Sequence, residues 1–111
     1  MNPKVRVAIC FIGDNLQNDI YLAELAKLVS LSPSRFSHLF TSELRMPFTR
    51  YLKKARLEKA GKLLEESFTP VKLIALRVGY NDPAHFEREF KKVYGVTPSQ
   101  YRADNPARMA V

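Results

Sequence analysis

The sequence predicts an all-α fold of about seven helices joined by loops of a few residues. Apolar residues return at helical spacing throughout, and nothing alternates like a strand. Prolines also stand directly after Ser, Thr or Asp, the arrangement that suits a helix start.

Val5, Ala8, Ile9, Ile12 and Leu16 predict a first helix ending around Asp14 to Asn18. Leu22, Leu25, Ala26 and Val29 predict a short second helix, with Tyr21 as a poor capping residue ahead of it. Ser30-Leu31-Ser32-Pro33-Ser34 reads as a turn and a helix start. Ser32 caps and Pro33 takes the first helical position, where its missing N–H costs nothing. That third helix turns Phe36, Leu39 and Phe40 inward and leaves Ser34, Arg35, Ser37, His38 and Thr41 on its other faces. Phe48 to Glu66 holds 19 residues with no Pro and one Gly, Gly61, and reads as a long helix. Thr69-Pro70, Asp82-Pro83 and Thr97-Pro98 repeat the cap-then-proline device and predict helices near Val71 to Val78, Ala84 to Tyr94 and Ser99 to Arg102.

The chain repeats itself. Ala26, Val29, Ser30 and Leu31 match Ala75, Val78, Gly79 and Tyr80 at an offset of 49, and Pro33, Phe36, Phe40 and Tyr51 match Pro83, Phe86, Phe90 and Tyr101 at an offset of 50. Each copy is a short helix, a tight turn and a capped second helix with two inward phenylalanines, the helix-turn-helix pattern, and the second turn is one residue longer. The predicted domains are residues 1–46 and 67–103, joined by a linker helix over 47–66 and followed by a flexible tail over 104–111. The linker would span roughly 28 Å at about 1.5 Å per residue. That length approaches the roughly 34 Å between successive major-groove faces of B-DNA.

Composition narrows the function classes. The chain has 111 residues, 18 Lys and Arg against 11 Asp and Glu, and a net charge of +7, which favours a polyanionic partner. The excess is +1 over residues 1–46, +3 over 47–70 and +3 over 71–111. A single cysteine, Cys10, excludes an internal disulfide framework and reads as a buried small hydrophobe in a reducing, cytoplasmic setting. Val5 to Ile12 is too short to span a bilayer. Cys10, His38 and His85 have no spacing that makes a metal site or a nucleophile–base pair, so neither cofactor nor enzymatic activity is expected.

Leu22-Ala23-Glu24-Leu25-Ala26 and the run Leu31 to Phe40 resemble the first helix-turn-helix of the AraC/XylS family of bacterial transcription regulators. Val78-Gly79-Tyr80-Asn81-Asp82, His85-Phe86, Phe90-Lys91-Lys92, Tyr94-Gly95-Val96-Thr97-Pro98 and Tyr101-Arg102 closely resemble its second signature. The resemblance implies two homeodomain-like subdomains whose second helices enter adjacent major grooves of promoter DNA, usually for activation. It also implies contact with RNA polymerase and an effector-binding or dimerisation domain outside this chain. Arg45 stands where the family often has Gly, so the backbone there is expected to take a conformation open to other residues.

Carried over by position, the resemblance places Ser34, Arg35, Ser37 and His38, then Ala84, His85 and Arg88, near base edges. Arginine suits guanine O6 and N7, Ser and His donate or accept, and the Ala methyl packs on a thymine methyl. Arg35 and Arg88 suit phosphates or a salt bridge equally well. Arg50, Lys53, Lys91 and Lys92 are the phosphate candidates, helped by backbone N–H groups at the helix starts near Pro33 and Pro83. Glu58, Glu65 and Glu66 read as surface partners of Lys54 and Lys62. The alternative is a helical protein-interaction module with no sequence preference for DNA.

Overall fold

The computed structural model describes residues 1–105. Those residues form seven helices and no strand: α1 (Pro3–Asp14), α2 (Leu22–Leu28), α3 (Pro33–Leu44), α4 (Phe48–Glu66), α5 (Val71–Arg77), α6 (Pro83–Tyr94) and α7 (Pro98–Ala103). The expected tail lies, from residue 106 onward, outside the described residues.

Helix starts follow their caps. Ser32 Oγ accepts from the Arg35 N–H at 3.2 Å, Asp82 Oδ1 from Ala84 at 3.0 Å and Thr97 Oγ1 from Gln100 at 3.2 Å, each ahead of a proline. Asn2-Pro3 starts α1 in the same way. Tyr21, as expected, gives α2 no side-chain cap. Thr69-Pro70 departs from the prediction: Pro70 itself is the cap position of α5, and the Thr69 hydroxyl instead accepts from Ser67 Oγ at 3.1 Å.

The chain divides into two compact units within α4, between Ala55 and Arg56. In the first, Val5, Ala8 and Ile12 of α1, Leu25 and Ala26 of α2, Phe36 and Phe40 of α3 and Phe48 and Leu52 of α4 form the core. In the second, Leu57, Ala60 and Leu64 of α4 join Ile74, Ala75, Val78, Phe86 and Phe90. The α1 residues Val5, Ala8 and Ile12 thus have counterparts in Leu57, Ala60 and Leu64 at a common offset of 52. One continuous helix therefore closes the first unit, as α7 does the second, and opens the second, as α1 does the first. Its buried apolar residues do not form a single stripe. At about 100° per residue, Phe48 and Leu52 lie on one face and Leu57, Ala60 and Leu64 on another.

The repeat holds in three dimensions. Phe36 and Phe40 have ring centroids 5.7 Å apart at 47°, and Phe86 and Phe90 5.8 Å apart at 48°. Tyr51 meets Phe40 edge-on at 5.4 Å, as Tyr101 meets Phe90 at 5.5 Å. The turns match as well. Leu31 N–H donates to Ala26 O and Ser30 N–H to Lys27 O, while Tyr80 donates to Ala75 O and Gly79 to Leu76 O, two Schellman closures. Such a closure needs a left-handed residue, and Ser30 (φ 59°) and Gly79 (φ 97°) supply it.

Two further sequence expectations are overturned. Arg45 occupies the left-handed region at φ 59°, because its N–H must reach Thr41 O to end α3, as Gly95 (φ 81°) does with Lys91 O for α6. Cys10 is exposed rather than buried, since the face of α1 that packs is already filled by Val5, Ala8 and Ile12.

Because the left-handed region costs a non-glycine residue about 1–2 kcal/mol, Arg45→Gly should raise stability by about 0.5–1 kcal/mol after the extra entropy of the unfolded glycine is subtracted. Gly95→Ala should lower it by about 1–2 kcal/mol for conformational reasons alone, since a Cβ there would meet nothing within 4 Å. Urea unfolding of both variants, at unchanged m-value, checks the opposite signs.

Gly61 answers to space instead. A Cβ there would lie 2.7 Å from the hydroxyl of Tyr94, a ring held by stacking on Phe90 at 4.3 Å and by donation to Leu57 O at 3.3 Å. In the first unit the matching positions are Ile9 and Leu44, the bulk moved from one helix to the other. Gly61→Ala should therefore cost about 1–2 kcal/mol as overpacking. In a Tyr94→Leu background the same change should become favourable by up to about 1 kcal/mol through helix propensity. A double-mutant unfolding cycle reads that change of sign.

Candidate nucleic-acid interface

On α3 the buried pair Phe36 and Phe40 determines what faces outward. Ser34, Arg35 and His38 are exposed and, with Leu31 and Leu39, line one shallow depression. Ser37 stands apart. It is half-buried and lines a second depression with Tyr21, Leu22, Pro47 and Thr49, between the starts of α2 and α4.

On α6 the buried pair is Phe86 and Phe90, and Ala84, His85 and Arg88 are exposed. His85 is not a loose side chain. Its ring meets Tyr80 edge-on at 5.4 Å, and its Nε2 lies 3.3 Å from Glu89 Oε1, a separation suited to N–H donation. Sequence reading missed both supports, although the spacing of His85 and Glu89, one helical turn apart, was a visible signal. With Nε2 engaged, Nδ1 is the ring nitrogen left to face a ligand.

Of the phosphate candidates, Arg50, Lys91 and Lys92 are exposed and Lys53 is half-buried. Lys91 and Lys92 occupy the last turn of α6, where their charge also complements the helix dipole. The helix starts offer phosphates less than expected. Ser32 already takes the Arg35 N–H, and the Asp82 carboxylate takes that of Ala84, placing a negative charge at the start of α6.

Behind α6 the second unit is tied down by polar groups whose roles the sequence did not disclose. Arg102 donates from Nε to Leu64 O at 3.3 Å and from its terminal nitrogen to Thr69 O at 2.6 Å, serving carbonyls at and just past the end of α4. Tyr101 donates to Glu65 Oε2 at 3.1 Å, so Glu65 is a structural acceptor rather than only a surface partner. Burial pushes the Tyr94 phenol above its usual range, with Glu58 and Glu65 adding to the shift. Burial likewise raises Tyr80, with Glu89 adding and Arg56 opposing. Both phenols are thus held neutral. Among the described residues no group of three His, Cys, Asp or Glu comes together to hold a metal, and no helix is long and apolar enough to cross a membrane.

Residues 25–104 match the family model of a helix-turn-helix domain. The chain is 39% identical over 101 residues to an HTH-type transcriptional regulator of Haemophilus influenzae, covering 91% of this chain and 34% of that protein. It is 36% identical over 104 residues to the arabinose operon regulatory protein of Escherichia coli, covering 93% and 36%. The chain thus spans about a third of the length of these relatives. Among solved structures it is similar to the C-terminal domain of AraT, a response regulator from Geobacillus stearothermophilus, at 38% identity and TM-score 0.86, covering 93% of this chain and 86% of that one. It is also similar to the DNA-binding domain of AdpA in complex with a target DNA, at 25% identity and TM-score 0.88, covering 96% of each chain. With this match over most of its length, and with both copies of the repeat folded as helix-turn-helix units, the chain belongs to the helix-turn-helix domain family in its AraC/XylS form.

Proposed function

We propose that this chain is the sequence-specific, double-stranded DNA-binding part of a transcription regulator, in most settings an activator, working in the cytoplasm. The observation that carries the reading is the doubled unit: α3 and α6 each bury two phenylalanines and present a polar face with basic residues. The solved relative bound to its target DNA supports it. In this reading α3 and α6 enter adjacent major grooves. Ser34, Arg35, Ser37 and His38 on the first, and Ala84, His85 and Arg88 on the second, meet base edges, while Arg50, Lys53, Lys91 and Lys92 hold phosphates. RNA polymerase and an effector or dimerisation domain outside the chain complete the regulator. No step of this function calls on bond-making chemistry.

Binding should be salt-dependent, because each neutralised phosphate releases counterions and contributes about 0.9 to the slope of log affinity against log salt. Arg88→Ala should cost about 1–3 kcal/mol and relax preference at one base pair only. Lys91→Ala should weaken every sequence alike. Selection of preferred duplexes from a random pool, followed by mobility shifts of both variants, tests the assignment. Uniform loss in both would make Arg88 a phosphate clamp, and equal affinity of the parent chain for selected and random duplexes would favour the interaction-module alternative.

A further inference from the structure

The outer face of α5 is apolar where the fold does not require it. Successive residues are about 100° apart round the helix. Ile74, Ala75 and Val78 are fully buried, so Leu73 and Leu76 fall on the opposite side, 47% and 50% exposed. Lys72 and Arg77, both exposed, border that pair, one on either flank.

The repeat supplies an internal control. In α2 the buried Leu25 and Ala26 match Ile74 and Ala75, but the two outward positions are Glu24 and Lys27. The same helix therefore builds with charged residues at these two positions, although Leu28 beside them is also exposed, and packing gives no reason for leucine at 73 and 76. Three residues ahead of each helix the contrast recurs, with Asp19 in the first copy and Phe68, 76% exposed, in the second. Single exposed apolar residues need no explanation, whereas a pair on one stripe between two cations makes a small amphipathic docking face.

We propose that this face of α5 binds an acidic amphipathic helix of a partner protein. Apolar side chains of the partner would cover Leu73 and Leu76, and carboxylates on either side of them would meet Lys72 and Arg77. Charge complementarity selects this occupant. A second copy of the chain docking by the same face would set Lys72 and Arg77 against their own equivalents, and DNA has no apolar surface of matching shape to offer two leucines.

The test titrates the isotope-labelled chain with a synthetic helical peptide carrying leucines along one face and glutamates on both flanks, and with a counterpart in which every glutamate is lysine. The glutamate peptide should shift the amides of residues 71–78 and bind at least about tenfold more tightly than the lysine peptide. Leu73→Glu with Leu76→Lys, which installs the residues α2 already carries, should abolish that binding and leave the affinity for DNA unchanged. Lys72→Glu with Arg77→Glu should reverse the peptide preference without touching the leucines. Equal binding of the two peptides, or full binding by the leucine variant, overturns the proposal. So does self-association that the leucine variant abolishes, since the occupant is then a second copy.

Discussion

Burial of two phenylalanines one helical turn apart, Phe36 with Phe40 and Phe86 with Phe90, fixes how each second helix is rolled about its own axis. A fully buried phenylalanine is worth roughly 1.5–3 kcal/mol by its removal from water, so rolling α3 or α6 to present another face would forfeit several kcal/mol. The outward residues are therefore held in place by inward ones. Tyr51 and Tyr101 close each aromatic cluster edge-on. A Schellman turn with a left-handed residue sets the entry into each second helix from the short helix before it.

The two copies meet this constraint with different residues. The second uses Gly79 and Gly95 at its left-handed positions, where the first uses Ser30 and Arg45 and carries the conformational cost. The second also sets Tyr94 against Gly61, where the first has Leu44 and Ile9. Arg102 and Glu65 add polar ties in the second copy, and the position matching Arg102 in the first is the apolar Leu52. The arrangement of helices is common to both, and the chemistry that secures it is not.

Local signals made much of this legible in the sequence. Three of the four predicted proline caps, the inward phenylalanines and the repeat offsets are short-range patterns, and each survives in the fold. What escaped depended on distant partners. Cys10 sits at helical spacing among apolar residues, but α1 fills its packing face without it. The left-handed backbone at Arg45 follows from how α3 ends and α4 begins, which residue type alone does not reveal. Thr69 looked like a cap until Ser67 claimed its hydroxyl. On the candidate interface the outward placement of Ser34, Arg35 and His38 followed from the phenylalanine spacing, and that of Ala84, His85 and Arg88 from the family resemblance. The half-burial of Ser37 and the bracing of His85 by Tyr80 and Glu89 required coordinates.

We propose that α3 and α6 read DNA together, tied through the continuous helix α4. Binding to a selected bipartite site, with its two blocks at their native spacing, about half a turn further apart and about one full turn further apart, tests it most directly. A half-turn insertion of about five base pairs moves the second block to the opposite face, and a full turn of about ten moves it along the axis beyond a helix of fixed length. Specific affinity should fall to that of a single block at both altered spacings. Equal affinity at all three, or recovery at the full turn, would contradict it.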